Sequence, residues 1–339
     1  MRLRIIAGLA AVAAGVGLAG GQPKDPGPAP KFLYGHDLKV RPGGEKSFAK
    51  AAKVGVEVYQ AEVPGDGGKA VPVAVVISDA GGLAVFPAGP VGNDKRAGWV
   101  TAHDLRVRKA GEAEFTQKTK TWGVELFRDL GSNRLLYVTE AGAVASAPVP
   151  GALGADKGPK WHHALELKVR GPGDQTFEKA ARFGLEVSKD ENTGGLVYVT
   201  ETGSIAAAAA PPAAPDPRKI APPKGAYGLD LLVRAADEAE FTDQTKSVPV
   251  EVFEDPNANA LVYITGAGSV AAAPNPGKLA DPAGGKAVTW AAAFNLKARK
   301  AGEKEFDKAK KYGVEVFRDN RTGNLLFVSE TGAIAVLAK

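Results

Sequence analysis

An arginine, a phenylalanine seven positions later and a glutamate beyond it recur through the 339-residue chain. The arginines are Arg41, Arg108, Arg170, Arg234 and Arg299, spaced 67, 62, 64 and 65 residues apart. The phenylalanines are Phe48, Phe115, Phe177, Phe241 and Phe306, and the glutamates Glu57, Glu125, Glu186, Glu251 and Glu315. A guanidinium and a carboxylate in every copy offer two chemistries. They can build equivalent polar pockets, as in a multivalent sugar binder, or they can join neighbouring strands by a salt bridge. We read the pair as the second: Arg ends a first strand, Glu lies in the second strand of the same copy, and all these residues are structural repeat markers. Aromatic residues supply the better binding chemistry. Tyr34, Trp99, Trp161, Tyr227 and Trp290 each stand three to six residues before the strand-one Leu of their copy, just outside that strand. Flat rings in that place would stack on sugar rings, one per module, or plug the joins between modules.

Other chemistries find less support. His36 and His103 occupy corresponding positions of separate copies, with His162 and His163 near that place in the third. Residues so distributed do not converge as metal ligands must, and they read as surface or strand-edge groups. The stretches from Asp190 through Asn192 to Gly194, and from Asp319 to Gly323, are partly similar to calcium loops. They lack the bidentate Glu and read as turns. With no cysteine in the chain, disulfides, thiolate nucleophiles and Cys-based metal sites are excluded. No nucleophile elbow, P-loop or H-E-x-x-H occurs. Active sites are singular, whereas every polar feature here is multiplied or decayed, so the sequence argues against an enzyme. Two carboxylates of different copies acting on a glycoside are the enzymatic alternative. No cofactor and no metal are expected. The formal charge of +5 comes from interspersed basic and acidic residues, a solvated surface rather than a nucleic-acid footprint.

Each copy resolves into the same elements. HDLRVR alternates apolar and polar residues as a half-buried strand does. AGEAEFTQKTKTWG puts Phe115 and Trp122 seven apart, which predicts a short helix stopped by Gly123. Such a helix is marginal alone and must lean on the sheet through its marker phenylalanine. By the same reading Tyr312 belongs to a helix of the fifth copy, and both it and Trp122 are core. GVELF is a second strand, LLYVT a third. The phrase YVTEAGAVASA, with its relatives YVTETGSIAAA, YITGAGSVAAA and FVSETGAIAVL, is a hairpin whose bend uses Gly142, Gly203, Gly268 or Gly332, and Gly81 in the divergent first copy.

The predicted fold is therefore mostly β with short helices: five tandem β-α-β-β-β repeats closed as a five-bladed β-propeller. A string of small α+β domains is the alternative. Repeat 1 (divergent) covers 32–89, repeat 2 98–147, repeat 3 161–208, repeat 4 226–273 and repeat 5 289–339, with an Ala/Pro-rich linker at 209–225. One such unit is too small to bury an adequate core alone.

Residues 1–20 carry Arg2 and Arg4, then an uncharged apolar run, and read as a secretory signal peptide. A Pro/Gly-rich exit segment follows at 21–31. This places the protein outside the cytoplasm, secreted or periplasmic, with no membrane span after signal removal. In repetition and aromatic recurrence the chain resembles propeller lectins, and no residue role is carried over from them. The function expected is an exported binding or scaffold module, with a glycan or an envelope component as partner. A purely structural envelope role is the rival reading. The oligomeric state is not legible.

Overall fold

The computed structural model describes residues 28–65, 69–154, 158–211, 220–282 and 285–339. The expected signal peptide, most of the exit segment and the linker residues 212–219 lie outside the described residues. Among the described residues there are five four-stranded antiparallel meanders. Blade 1 comprises β1 (Lys31–Val40), β2 (Ala52–Pro64), β3 (Ala70–Ser78) and β4 (Leu83–Pro87). Blade 2 comprises β5 (Ala97–Val107), β6 (Lys120–Asp129), β7 (Arg134–Thr139) and β8 (Val144–Pro148). Blade 3 has β9 (Pro159–Val169), β10 (Ala181–Asp190), β11 (Leu196–Thr200) and β12 (Ile205–Ala208). Blade 4 has β13 (Lys224–Val233), β14 (Lys246–Asp255), β15 (Ala260–Thr265) and β16 (Val270–Pro274). Blade 5 has β17 (Val288–Ala298), β18 (Lys310–Asp319), β19 (Leu325–Ser329) and β20 (Ile334–Leu337).

Position in the blade explains each strand's composition. The first strands are outermost: β5 and β9 alternate buried and exposed side chains over their second halves, as a strand with one wet face must. The second and third strands are covered on both faces by neighbouring blades, so Val54–Val58 and Leu135–Thr139 are buried without a break. The fourth strands meet at the axis. There Ala84, Ala145, Ala206, Ala271 and Ala335 line a cavity of only about 50 Å³. Five backbones crowd together at that radius, and larger side chains would not fit. The small residues of the recurrent phrase are thus a consequence of ring closure. Its glycines turn at φ +87, +79, +83, +75 and +84° at positions 81, 142, 203, 268 and 332, a region that other residues enter only with strain.

The ring closes as predicted, and the helices do not form. Between first and second strands the structure has turns, with a single 3-10 turn at Phe48–Lys50. The marker phenylalanines therefore do not bury a helical face against the sheet. Phe48 and Phe115 are exposed, while Phe177, Phe241 and Phe306 are half-buried in the loops that replace the expected helices. The sheet faces that such helices would cover are already taken by the next blade, so the loops stay at the rim. Trp122 and Tyr312 lie in β6 and β18. Tyr312 is fully buried, while Trp122 is half-buried. Gly123 is no helix stop. A β-carbon on Gly55, Gly123, Gly184 or Gly313 would overlap the carbonyl oxygen of the previous blade's Arg299, Arg41, Arg108 or Arg234. Glycine is required there because two blades touch backbone to backbone.

No blade takes strands from both chain ends. The seam of blades 5 and 1 is closed by side-chain contacts: Phe294, Leu296, Tyr312, Val314 and Phe327 are set against Tyr59, Val73 and Val75, Arg299 pairs with Glu57, and the Tyr59 and Tyr312 hydroxyls donate to the carbonyls of Lys297 and Asp79.

Candidate functional site

The repeat markers assemble across the seams, not within a copy. Arg41 donates to Glu125, Arg108 to Glu186, Arg170 to Glu251 and Arg234 to Glu315, each from Nε at 2.6 Å. Arg299 closes the circle on Glu57 at 2.7 Å. The expected cross-strand pairing inside one copy is thereby corrected: the propeller places each Arg beside the second strand of the following blade. A second Nη2 donor reaches the other carboxylate oxygen in four seams, at 3.0–3.3 Å. The remaining nitrogen, Nη1, donates to the carbonyl of the residue five on in four of the five copies, as in Arg108 to Ala113. This holds the connecting loop around the arginine in place of a helix.

The marker phenylalanines find their partner in the guanidinium, not in the sheet. Arg41 stands over Phe48, Arg108 over Phe115, Arg170 over Phe177, Arg234 over Phe241 and Arg299 over Phe306, at 4.5–5.0 Å from the ring centre. Each is a cation–π contact within one copy. The seven-residue interval thus spans a loop that folds back on its own arginine. Arg, Phe and Glu form one seam clamp, repeated five times.

The tryptophans sit on these clamps. Indole Nε1 of Trp99, Trp161 and Trp290 donates to Glu125, Glu186 and Glu315 at 2.6, 2.7 and 2.6 Å. Trp99 and Trp161 nonetheless remain 52% and 48% exposed. A carboxylate that is almost wholly buried thus fixes the orientation of a ring that stays about half exposed, with the Arg41 guanidinium 5.9 Å over the ring of Trp99. Beside Trp99 a cavity of about 270 Å³ is lined by Arg41, Glu45, Lys46, Asp104 and Glu125. Phe48 meets Trp99 edge-on at 6.4 Å.

The five recurrent aromatics do not form one set. By strand register Trp99, Trp161 and Trp290 correspond to Phe32 in blade 1 and to Gly225 in blade 4. Tyr34 and Tyr227 stand two places later and point into seams, where their hydroxyls donate to Asp129 (2.8 Å) and Asp319.

Those aspartates are the functional-looking residues that sequence reasoning passes over, reading Asp190 and Asp319 only as parts of turns. Asp129, Asp190, Asp255 and Asp319 end the second strands of blades 2–5 and are fully buried. Asp190 accepts from Tyr137 (2.7 Å) and Asp255 from Tyr198 (3.1 Å), both on the preceding blade. The histidines belong here too, and their expected surface placement is corrected: His36, His103 and His163 are buried. Their Nε2 atoms stand 3.3, 3.5 and 2.9 Å from Asp129, Asp190 and Asp255, one pair per seam, so they do not converge. Burial raises the Asp129 carboxyl, but hydrogen bonds from His36, Ser132 and Tyr34 outweigh it and leave it below the usual range. Asp255 is lowered in the same way against burial by His163 and Tyr198, and Asp190 by His103 and Tyr137. The signal was available: an Asp four residues after the marker Glu in copies two to five, with Ala61 in the first.

These aspartates are bonded within their seams by tyrosine hydroxyls of the preceding blade. Among the described residues no group of three or more His, Asp or Glu converges as metal ligands would. No helix among them is long and apolar enough to cross a membrane. No family model matches the chain, and no curated protein or solved structure matches it.

Proposed function

We propose that this propeller is a multivalent binding module that takes glycans on the tryptophans of its seams. The observation carrying this reading is the held, half-exposed indole of Trp99 and Trp161, each locked by a buried glutamate. A sugar ring presents axial C–H groups to such a face and hydroxyls to the charged rim. The 270 Å³ beside Trp99 suits one or two rings better than a larger ligand. Three weak platforms on one rigid ring gain avidity on a repetitive polymer, of the order of 10²–10⁴ over one site. Export through the N-terminal apolar segment would bring the module to envelope or matrix glycans.

A glycan array probed with the intact protein tests this. Binding should be retained by the wild type, weakened stepwise by Trp99→Ala, Trp161→Ala and Trp290→Ala, and lost in the triple variant while its far-ultraviolet spectrum is unchanged. A wild-type protein that bound no glycan, with substitutions that only lowered stability, would leave the structural envelope role in its place.

A further inference from the structure

The seam of blades 3 and 4 breaks the repeat at four places, three of which (Pro172, Pro249 and Gly266) line one cavity. Gly225 replaces the platform tryptophan. Pro249 replaces the glycine that elsewhere presses on the previous arginine's carbonyl. In two other seams a hairpin glutamate accepts a backbone N–H from the loop opposite: Ala110 to Glu201 at 3.0 Å and Ala236 to Glu330 at 2.7 Å. In the third–fourth seam the donor position is Pro172, which has no N–H, and the acceptor position is Gly266, which has no carboxylate. Both halves of one hydrogen bond are absent together, so nothing is left unsatisfied and the space is vacated.

That space is a cavity of about 340 Å³. Its floor is apolar, with Val169, Val248 and Pro249, and its rim carries Arg170, Lys179 and Lys246. Arg170 is neutralised by Glu251 at 2.6 Å. Lys246 donates to the carbonyl of Glu330 at 2.9 Å, and neither lysine has an ion-pair partner among the described residues. Two uncompensated cations therefore stand over an apolar pocket from which the usual acid has been removed. We infer that the seam between blades 3 and 4 is a separate site for a small organic carboxylate with a compact apolar body. Its carboxylate replaces the missing acid beside Lys179 and Lys246, and its body fills the space above Val248 and Pro249. The site owes nothing to the tryptophan platforms.

Benzoate titrated into the intact protein by calorimetry, with neutral benzamide as control, is the test. One benzoate per chain should bind, more weakly at high salt, and benzamide should bind at least tenfold less tightly. The exposed-lysine double variant Lys179→Ala/Lys246→Ala should lose about tenfold in affinity, and Trp161→Ala should leave binding unchanged. Pro249→Gly/Gly266→Glu, which restores the glycine and the hairpin carboxylate of the other seams, should abolish it. Equal binding of benzoate and benzamide, no benzoate binding, or undiminished affinity in the double-lysine variant would each overturn the assignment. Because Trp161→Ala separates the two sites, a failed glycan screen and a failed benzoate titration are distinguishable.

Discussion

The seam of blades 2 and 3 and the seam of blades 5 and 1 do the same mechanical work with different interiors. Both carry the Arg/Phe/Glu clamp at the rim. Inside the first, Asp190 gathers the Tyr137 hydroxyl, Thr193 and its own turn. Inside the second, the aspartate position is Ala61, the tyrosine position is Phe327 and the Tyr34 position is Ala292, all buried in one apolar cluster. The three substitutions are mutually consistent: without the carboxylate a tyrosine hydroxyl would lack its partner, and Phe327 removes it. The buried carboxylate and the tyrosine hydroxyl that bonds it are thus gained or lost together. Where the chain ends meet, closure relies on apolar packing, one clamp and the hydroxyls of Tyr59 and Tyr312, which bond the Lys297 and Asp79 carbonyls.

The largest effect should come from forcing the wrong interior on the closing seam. Ala61→Asp introduces a buried carboxylate with no donors and should destabilise by about 3–5 kcal/mol. Adding Phe327→Tyr should recover about 1–2 kcal/mol, a coupling read from the denaturant midpoints of the double-mutant cycle. Glu57→Ala and Glu186→Ala compare the clamps themselves. Each leaves an arginine over its phenylalanine without a carboxylate and should cost about 3 kcal/mol in equilibrium unfolding. If the closing clamp proved dispensable while the other did not, packing alone would hold the ring. The smallest effect is acid-linked. Asp129, Asp190 and Asp255 have folded values below the unfolded value of about 3.9. Their stabilisation is complete above that value and is lost as pH falls through the folded one. Hydrogen-exchange protection, taken relative to the intrinsic rate at each pH, should therefore fall between pH 6 and pH 3 at the first three seams before the closing seam. Asp190→Asn should remove that response at its own seam for a cost of about 1 kcal/mol.

Much of the fold was legible. The phase of Arg, Phe and Glu, the hairpin glycines and the alternation of the first strands reported five copies of one small unit, with a closed ring as the leading arrangement and a string of domains as the alternative. The helices were misread for a local reason. Phe115 and Trp122 are seven apart, as on one helical face, yet Phe115 covers Arg108 and Trp122 lies in β6, near enough to Gly203 of blade 3 that a β-carbon there would stand 2.7 Å from the indole. Phe177, Phe241 and Phe306 repeat that arrangement over Arg170, Arg234 and Arg299. Loop carbonyls that a helix would bond internally are taken by arginine. For the candidate site, the three tryptophans were visible as recurrent aromatics, whereas their separation from Tyr34 and Tyr227 follows only from strand register.

Sequence alone determined the unit: its strand pattern, its glycine bends, and the residue types that each blade contributes to its borders. Which borders meet was decided by the closed ring. Residues some 80 apart in the chain, and 242 apart for Arg299 and Glu57, become partners because strand order and axial crowding place blade beside blade. A repeated sequence carries every half of a contact many times over, and only geometry selects which two halves touch.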